Sequence, residues 1–293
     1  MAIIPFLIAW PALMALVIPC IRDSRARGRV VYLGAGVVMA LAAFLLAAWL
    51  QGGGGIVDLC GTVPVLDHLM LAGEFALMVL IVVLCIKYKK YPVILLSVGQ
   101  TGLLAWSELT NPVESPSHLR LDCLSMLMIM IVAIVGGLIC IYAVGYMKAY
   151  HTHHTEYQDR SGFFFSMLFF FLAAMIGLVL SENIVWMYFF WEITSVISFL
   201  LIGYTRTEEA VHNSFRALWM NLLGGLGFAI AIVVAVQTQH TVQLSELVAA
   251  KATIPVVLLA FAGLTKSAQL PFSSWLLGAM VAPTPSSALL HSA

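Results

Sequence analysis

Two ionisable residues of opposite sign stand inside apolar runs of this chain: Lys266 within 256–270 and Glu192 within 184–204. Holding an ion in hydrocarbon costs between ~2.5 and more than ~10 kcal/mol, so a chain that keeps both points to charge being moved through a membrane. Glu192 follows Trp191 about eight residues into its run, hence ~12 Å deep at ~1.5 Å per residue. Two such groups within reach of each other titrate as a pair, so a proton or cation arriving at one changes both. The competing reading is a static ion pair that locks two helices. Against it, apolar replacements of buried pairs are often as stable.

Pro271 follows the lysine closely, in LTKSAQLPFSSW. Proline removes a backbone hydrogen bond and clashes with the preceding turn, and carbonyls freed in this way must be buried in protein or face water. A broken helix at mid-membrane is where transporters place ion sites, and Ser267, Gln269, Ser273 and Ser274 offer hydroxyl and amide groups to hold water beside the lysine. A kink used only for packing is the alternative. Glu74, in LAGEFALMVL, is a third acid in an apolar run and a candidate for the proton pathway, unless it lies only near an interface. His291, after Pro283 and Pro285, is of a type suited to proton relay. His151, His153 and His154 with Glu156 read as a polar loop rather than a metal site. Asp122 and Glu108 stand at span ends, and Trp186, Tyr188, Trp191 and Trp219 read as interface anchors or packing.

The elements that must position these groups are transmembrane helices. The chain is 62% hydrophobic and 10% charged, with a mean hydropathy of +1.01, against roughly 25% charged residues in soluble domains. We expect an all-α polytopic membrane protein with nine spans, near 3–20, 30–50, 69–86, 91–106, 121–147, 162–180, 184–204, 215–236 and 253–280, and the start of a tenth. Tight turns at 87–90 and 181–183 make antiparallel hairpins, and 52–55 reads as a flexible turn. The first run lacks a basic leader and a small-residue cleavage site, so it reads as a retained helix. Alternate loops hold eleven of the 14 Lys and Arg: Arg22, Arg25, Arg27, Arg29, Lys87, Lys89, Lys90, Lys148, Arg160, Arg206 and Arg216. The opposite loops hold only Arg120 and Lys251, which places the basic loops in the cytoplasm and the N-terminus outside. A formal net charge of zero argues against nucleic acid as a partner, and the scattered cysteines (Cys20, Cys60, Cys85, Cys123, Cys140) make no iron–sulfur, haem or metal motif. No phosphate loop or nucleotide fingerprint is present.

At its end the sequence becomes specific. LTKSAQLPFSSWLLGAMVAPTPSSALLHSA resembles the signature of the antiporter-like subunit family: the large antiporter-like subunits of respiratory complex I (subunit L in particular), the matching subunits of membrane-bound energy-converting hydrogenases, and the large subunits of Mrp-type sodium/proton antiporters. LDCLSMLMIMIVAIVGGLICIYAVGYM, SENIVWMYFFWEITSVISFLLIGY and NSFRALWMNLLGGLGF extend the resemblance over about 121–293. It implies that Glu192 and Lys266 are the glutamate–lysine pair of a proton half-channel, that Lys266 and Pro271 lie in its broken helix, and that His291 opens the next helix toward a hydrated axis. It further implies a proton- or sodium-translocating subunit in the inner (cytoplasmic) membrane. Its partners would be other membrane and peripheral subunits carrying the hydrogenase or dehydrogenase chemistry, with no cofactor, metal or redox centre of its own. A secondary Mrp-type antiporter is the alternative. The family divides the chain into an N-terminal part, 1–110, with an extra hairpin at about 69–106, and a first antiporter-like bundle, 111–293. The stretch IKYKKYPVILLSVGQTGLLAW is more like the hydrogenase-type members, and Gly225 stands where some complex I members carry an acid.

Overall fold

The computed structural model describes residues 3–59, 61, 64–113 and 115–292, Pro64 by its backbone alone; Cys60 lies outside the described residues. Among the described residues eight helices are long and apolar enough to cross a membrane. They are α1 (Ile3–Val17), α2 (Ser24–Gln51), α3 (Pro64–Lys87), α4 (Tyr91–Thr110), α5 (Cys123–His153), α6 (Ser161–Leu180), α7 (Ile184–Ile202) and α8 (Glu208–Gln239). A short α9 (Leu244–Ala249) precedes the ninth span, which is broken into α10 (Thr253–Lys266) and α11 (Ser274–Gly278), and α12 (Thr284–Ser292) begins the next. The all-α polytopic expectation therefore holds, and the third and fourth spans are longer than their apolar cores implied.

Local chemistry sets the helix starts. Asp23, Asp122, Asn183 and Thr207 each take a backbone N–H of the first turn on a side-chain oxygen, at 2.8, 2.7, 2.8 and 3.2 Å, satisfying donors that a helix start leaves free. The two tight turns lie where expected, the first with Lys89 in the left-handed region at φ 57°.

One feature was not expected. The polar stretches around 57 and 120 meet as a two-stranded antiparallel ribbon, β1 (Val57–Leu59) and β2 (Leu119–Leu121), pairing Asp58 with Arg120. Arg120 Nε donates to Asp58 Oδ1 at 2.9 Å and Nη1 to Glu182 Oε1 at 3.2 Å. Glu182 Oε1 also accepts the Ser245 backbone N–H at 2.9 Å and its hydroxyl. These bonds cross-link four inter-helix segments on one face of the helices, called here the ribbon face. The opposite, basic face is joined by Arg27 to Ser161 at 2.8 Å, Arg160 to the Tyr204 carbonyl at 3.1 Å, and His151 to the Tyr204 hydroxyl at 3.0 Å.

Helix α7 is central. It packs on α6, α8 and α3, while α8 packs on α4 and α10, α1 on α6, and α2 on α5. Where helices approach closely, small residues make the room: a Cβ on Gly177 of α6 would meet the Phe190 ring of α7 at 2.5 Å, and one on Gly73 of α3 would meet the Phe189 ring at 2.6 Å. Large apolar side chains such as Phe6, Val65, Leu95 and Leu109 point outward, the arrangement required of a surface facing lipid.

Candidate functional site

Glu192 stands on the third turn of α7, with 2% of its surface exposed. One turn further along, on the same side of the helix, is Ser195. Helix α10 arrives from the ribbon face and stops at Lys266, because the chain turns through Ala268 (φ 54°) and reaches Pro271. The carbonyls freed by this break have partners: the Trp275 indole donates to Thr265 O at 2.9 Å, Gln269 N to Leu264 O at 3.1 Å, and the Ser267 hydroxyl to Gly263 O at 2.7 Å. A break in the bilayer interior is thus closed by protein rather than left bare.

The half-buried Lys266 ammonium turns toward α7. It donates to Ser195 Oγ at 2.8 Å and to Trp191 O at 3.4 Å, and lies 5.1 Å from the centroid of the Trp191 ring. It makes no contact ion pair with Glu192, although the two charges are close enough to interact. The lysine is therefore held by neutral oxygens and an aromatic face one helical turn from the carboxyl.

Around Glu192, Gly225 of α8 permits a close approach: a Cβ there would lie 2.6 Å from Glu192 Oε1 and 2.8 Å from Gln100 Oε1 of α4. An acid at this position, as some complex I members carry, has no room in this packing. Glu74, ten residues into α3, is buried rather than interfacial and within electrostatic reach of Glu192. Ser267 and Gln269 are exposed, and the hydroxyl beside the ammonium is that of Ser195. Pro271 lies in the break, while His291 is exposed in the last turn of α12 and makes no hydrogen bond to Glu192 or Lys266. Trp186, Tyr188 and Trp191 are buried, the Trp186 indole donating to Asp67 Oδ1 at 2.6 Å, and Trp219 is partly exposed. His154 lies 3.2 Å from Glu156, and among the described residues no three His, Cys, Asp or Glu converge as metal ligands do. Ser195 was legible in principle, since WEITS places it three residues after the glutamate. Gln100 was not, because only packing brings α4 to this point.

Comparison with known proteins agrees with this architecture. Residues 181–293 match the family described as NADH:quinone oxidoreductase/Mrp antiporter, TM, and residues 106–157 match NADH-Ubiquinone oxidoreductase (complex I), chain 5 N-terminus. The Na(+)/H(+) antiporter subunit A1 of Staphylococcus haemolyticus (strain JCSC1435) is 36% identical over 184 residues, covering 60% of this chain and 22% of the relative. The subunit of the same name from Staphylococcus aureus (strain JH9) is 34% identical over 184 residues, with the same coverage. A chain of the membrane-bound sulfane sulfur reductase, an archaeal respiratory membrane complex, superposes with a TM-score of 0.70 over 98% of this chain and 49% of that one; at 14% identity this shows the fold alone. A chain of the Mrp complex from Dietzia sp. DQ12-45-1b, 30% identical, superposes with a TM-score of 0.53 over 77% of this chain and 26% of that one. Over these stretches the present chain is similar to antiporter-like membrane subunits. It spans about a fifth of the length of the curated relatives it matches.

Proposed function

We propose that this chain carries protons across the membrane as part of a multi-subunit complex, with Glu192 and Lys266 as the exchanging pair and His291 passing the proton onward. The observation that carries this reading is the Lys266 ammonium at a helix break, held at 2.8 Å by the Ser195 hydroxyl, one turn from a fully enclosed carboxyl. An amine on a flexible stem, in contact with neutral partners only, is able to release and regain its proton. A movement of α10 relative to α7 changes its distance from Glu192 and hence the energy of both protonation states.

Two couplings are distinguished by separate observations. A redox-driven complex of the hydrogenase or complex I kind is favoured by the resemblance of IKYKKYPVILLSVGQTGLLAW, at the α3–α4 turn and along α4, to the hydrogenase-type members. A secondary antiporter exchanging sodium for protons is favoured by the 36% identity to an antiporter subunit. We take the first as the leading reading, with the basic face in the cytoplasm, the N-terminus outside, and the host membrane the inner one. The test is proton uptake by proteoliposomes holding the intact complex, driven either by an electron donor or by a sodium gradient. Lys266→Ala and Glu192→Gln are each expected to reduce transport to background while the complex still assembles. Transport that survives both substitutions overturns the pair.

A further inference from the structure

The α3–α4 hairpin carries polar side chains that the pair's chemistry does not use. Glu74 of α3 is 6% exposed and Gln100 of α4 is 2% exposed, each about midway along its helix. Among the described residues Glu74 Oε1 and Gln100 Oε1 have no hydrogen-bond partner, and neither do Glu192 Oε1 and the Tyr188 hydroxyl. Unsatisfied oxygens buried at mid-membrane are costly singly, and these four belong to one neighbourhood. Glu74 and Glu192 are within electrostatic reach, Tyr188 is within reach of both and one turn before Glu192 on α7, and Gln100 and Glu192 both press against Gly225. A site with this many free polar atoms is suited to ordered water, which needs two to four such partners.

We propose that the hairpin adds a second proton-carrying carboxyl to the site, Glu74, which exchanges protons with Glu192 through water held among Glu74, Tyr188, Gln100 and Glu192. In each transfer the Glu74 O–H bond breaks, the intervening water takes that proton and gives up another, and an O–H bond forms on Glu192. No electrons move. The hairpin is then a working part of the conductor, and this rests on the reading of Glu192 and Lys266 given above. Asp67, two turns nearer the ribbon face on the same side of α3 and 3.9 Å from His118 Nε2, gives the arm its direction, toward that face.

The test uses the intact complex in proteoliposomes. Glu74→Gln keeps size and hydrogen bonding but removes the exchangeable proton; transport is expected to fall at least ten-fold, with Glu74→Asp retaining part of it. In infrared difference spectra of the working complex, a carboxyl C=O band is expected to vanish in Glu74→Gln and to shift in Glu192→Gln, which a packing role alone would not cause. Gly225→Ala, whose methyl pushes Glu192 and Gln100 aside, is expected to slow transport several-fold with Glu74 intact, and decides the matter if Glu74→Gln does not assemble. Wild-type transport by Glu74→Gln alongside background transport by Lys266→Ala overturns the second carboxyl and leaves the pair standing. Equal loss in Glu74→Gln and Glu74→Asp with unchanged spectra also overturns it, as does wild-type transport by Gly225→Ala where that variant decides. Transport surviving Lys266→Ala and Glu192→Gln removes the pair on its own account.

Discussion

The Lys266 ammonium donates one hydrogen bond to Ser195 Oγ at 2.8 Å and another to the Trp191 carbonyl at 3.4 Å, so the lysine is fixed without being neutralised by direct contact with Glu192. A hydrogen bond to a charged group contributes ~1.5–3 kcal/mol, and Ser195→Ala is expected to slow transport roughly ten-fold while leaving assembly intact. Lys266→Arg is expected to assemble and to transport at background, because a guanidinium keeps its proton at any working pH; near-normal rates in vesicles would exclude proton release from this side chain. Glu192, Lys266 and Pro271 were legible in the sequence because an ion or a proline in an apolar run stands out against its neighbours. Gln100 was not, since one glutamine in a moderately apolar helix carries no signal until packing brings it to the carboxyl.

The crossing of α8 and α10 depends on glycines. A Cβ on Gly227 would lie 2.8 Å from the Phe261 ring, so Gly227→Leu is expected to displace α10, abolish transport and expose the 267–273 turn to protease, whereas Gly36→Leu, at a glycine with open space around it, leaves the protease pattern unchanged. On the ribbon face, His118 stacks on Trp186 at 4.4 Å between ring centroids and contacts Asn183 at 3.0 Å. Burial holds its imidazole below the ordinary 6.5, with Asp67 opposing in part. The native state therefore binds fewer protons here than the unfolded chain, so this contact's stability is complete above pH ~6.5 and is lost as pH falls through the lowered value. The unfolding temperature of the detergent-solubilised protein is expected to drop with acidification across that range, and more shallowly in His118→Gln. Helix starts were readable from their capping residues. The β1–β2 ribbon was not, because its strands are three residues long and are brought together by the hairpin between them.

At the scale of the whole molecule, the loop charges and the structure divide the chain into the same two faces. Lys87, Lys89, Lys90 and Arg160 lie on one, Arg120 and Lys251 on the other. With native cysteines replaced, Lys251→Cys is expected to react with a membrane-impermeant maleimide added outside intact cells, and Lys89→Cys only after lysis. The reverse pattern would invert the orientation. The eight long apolar helices among the described residues were countable because each needs a run of apolar residues. Their arrangement around α7 was not countable, since the outward face of a membrane helix is as apolar as its packed face and hydropathy does not separate them.

The Trp275 indole, bonded to the carbonyl just before Lys266, ties the two pieces of the broken span together. The bond covers a peptide carbonyl that the break would leave bare in oil. On the function proposed above, the reach of the lysine is bounded by how far one indole can lean before it lets go.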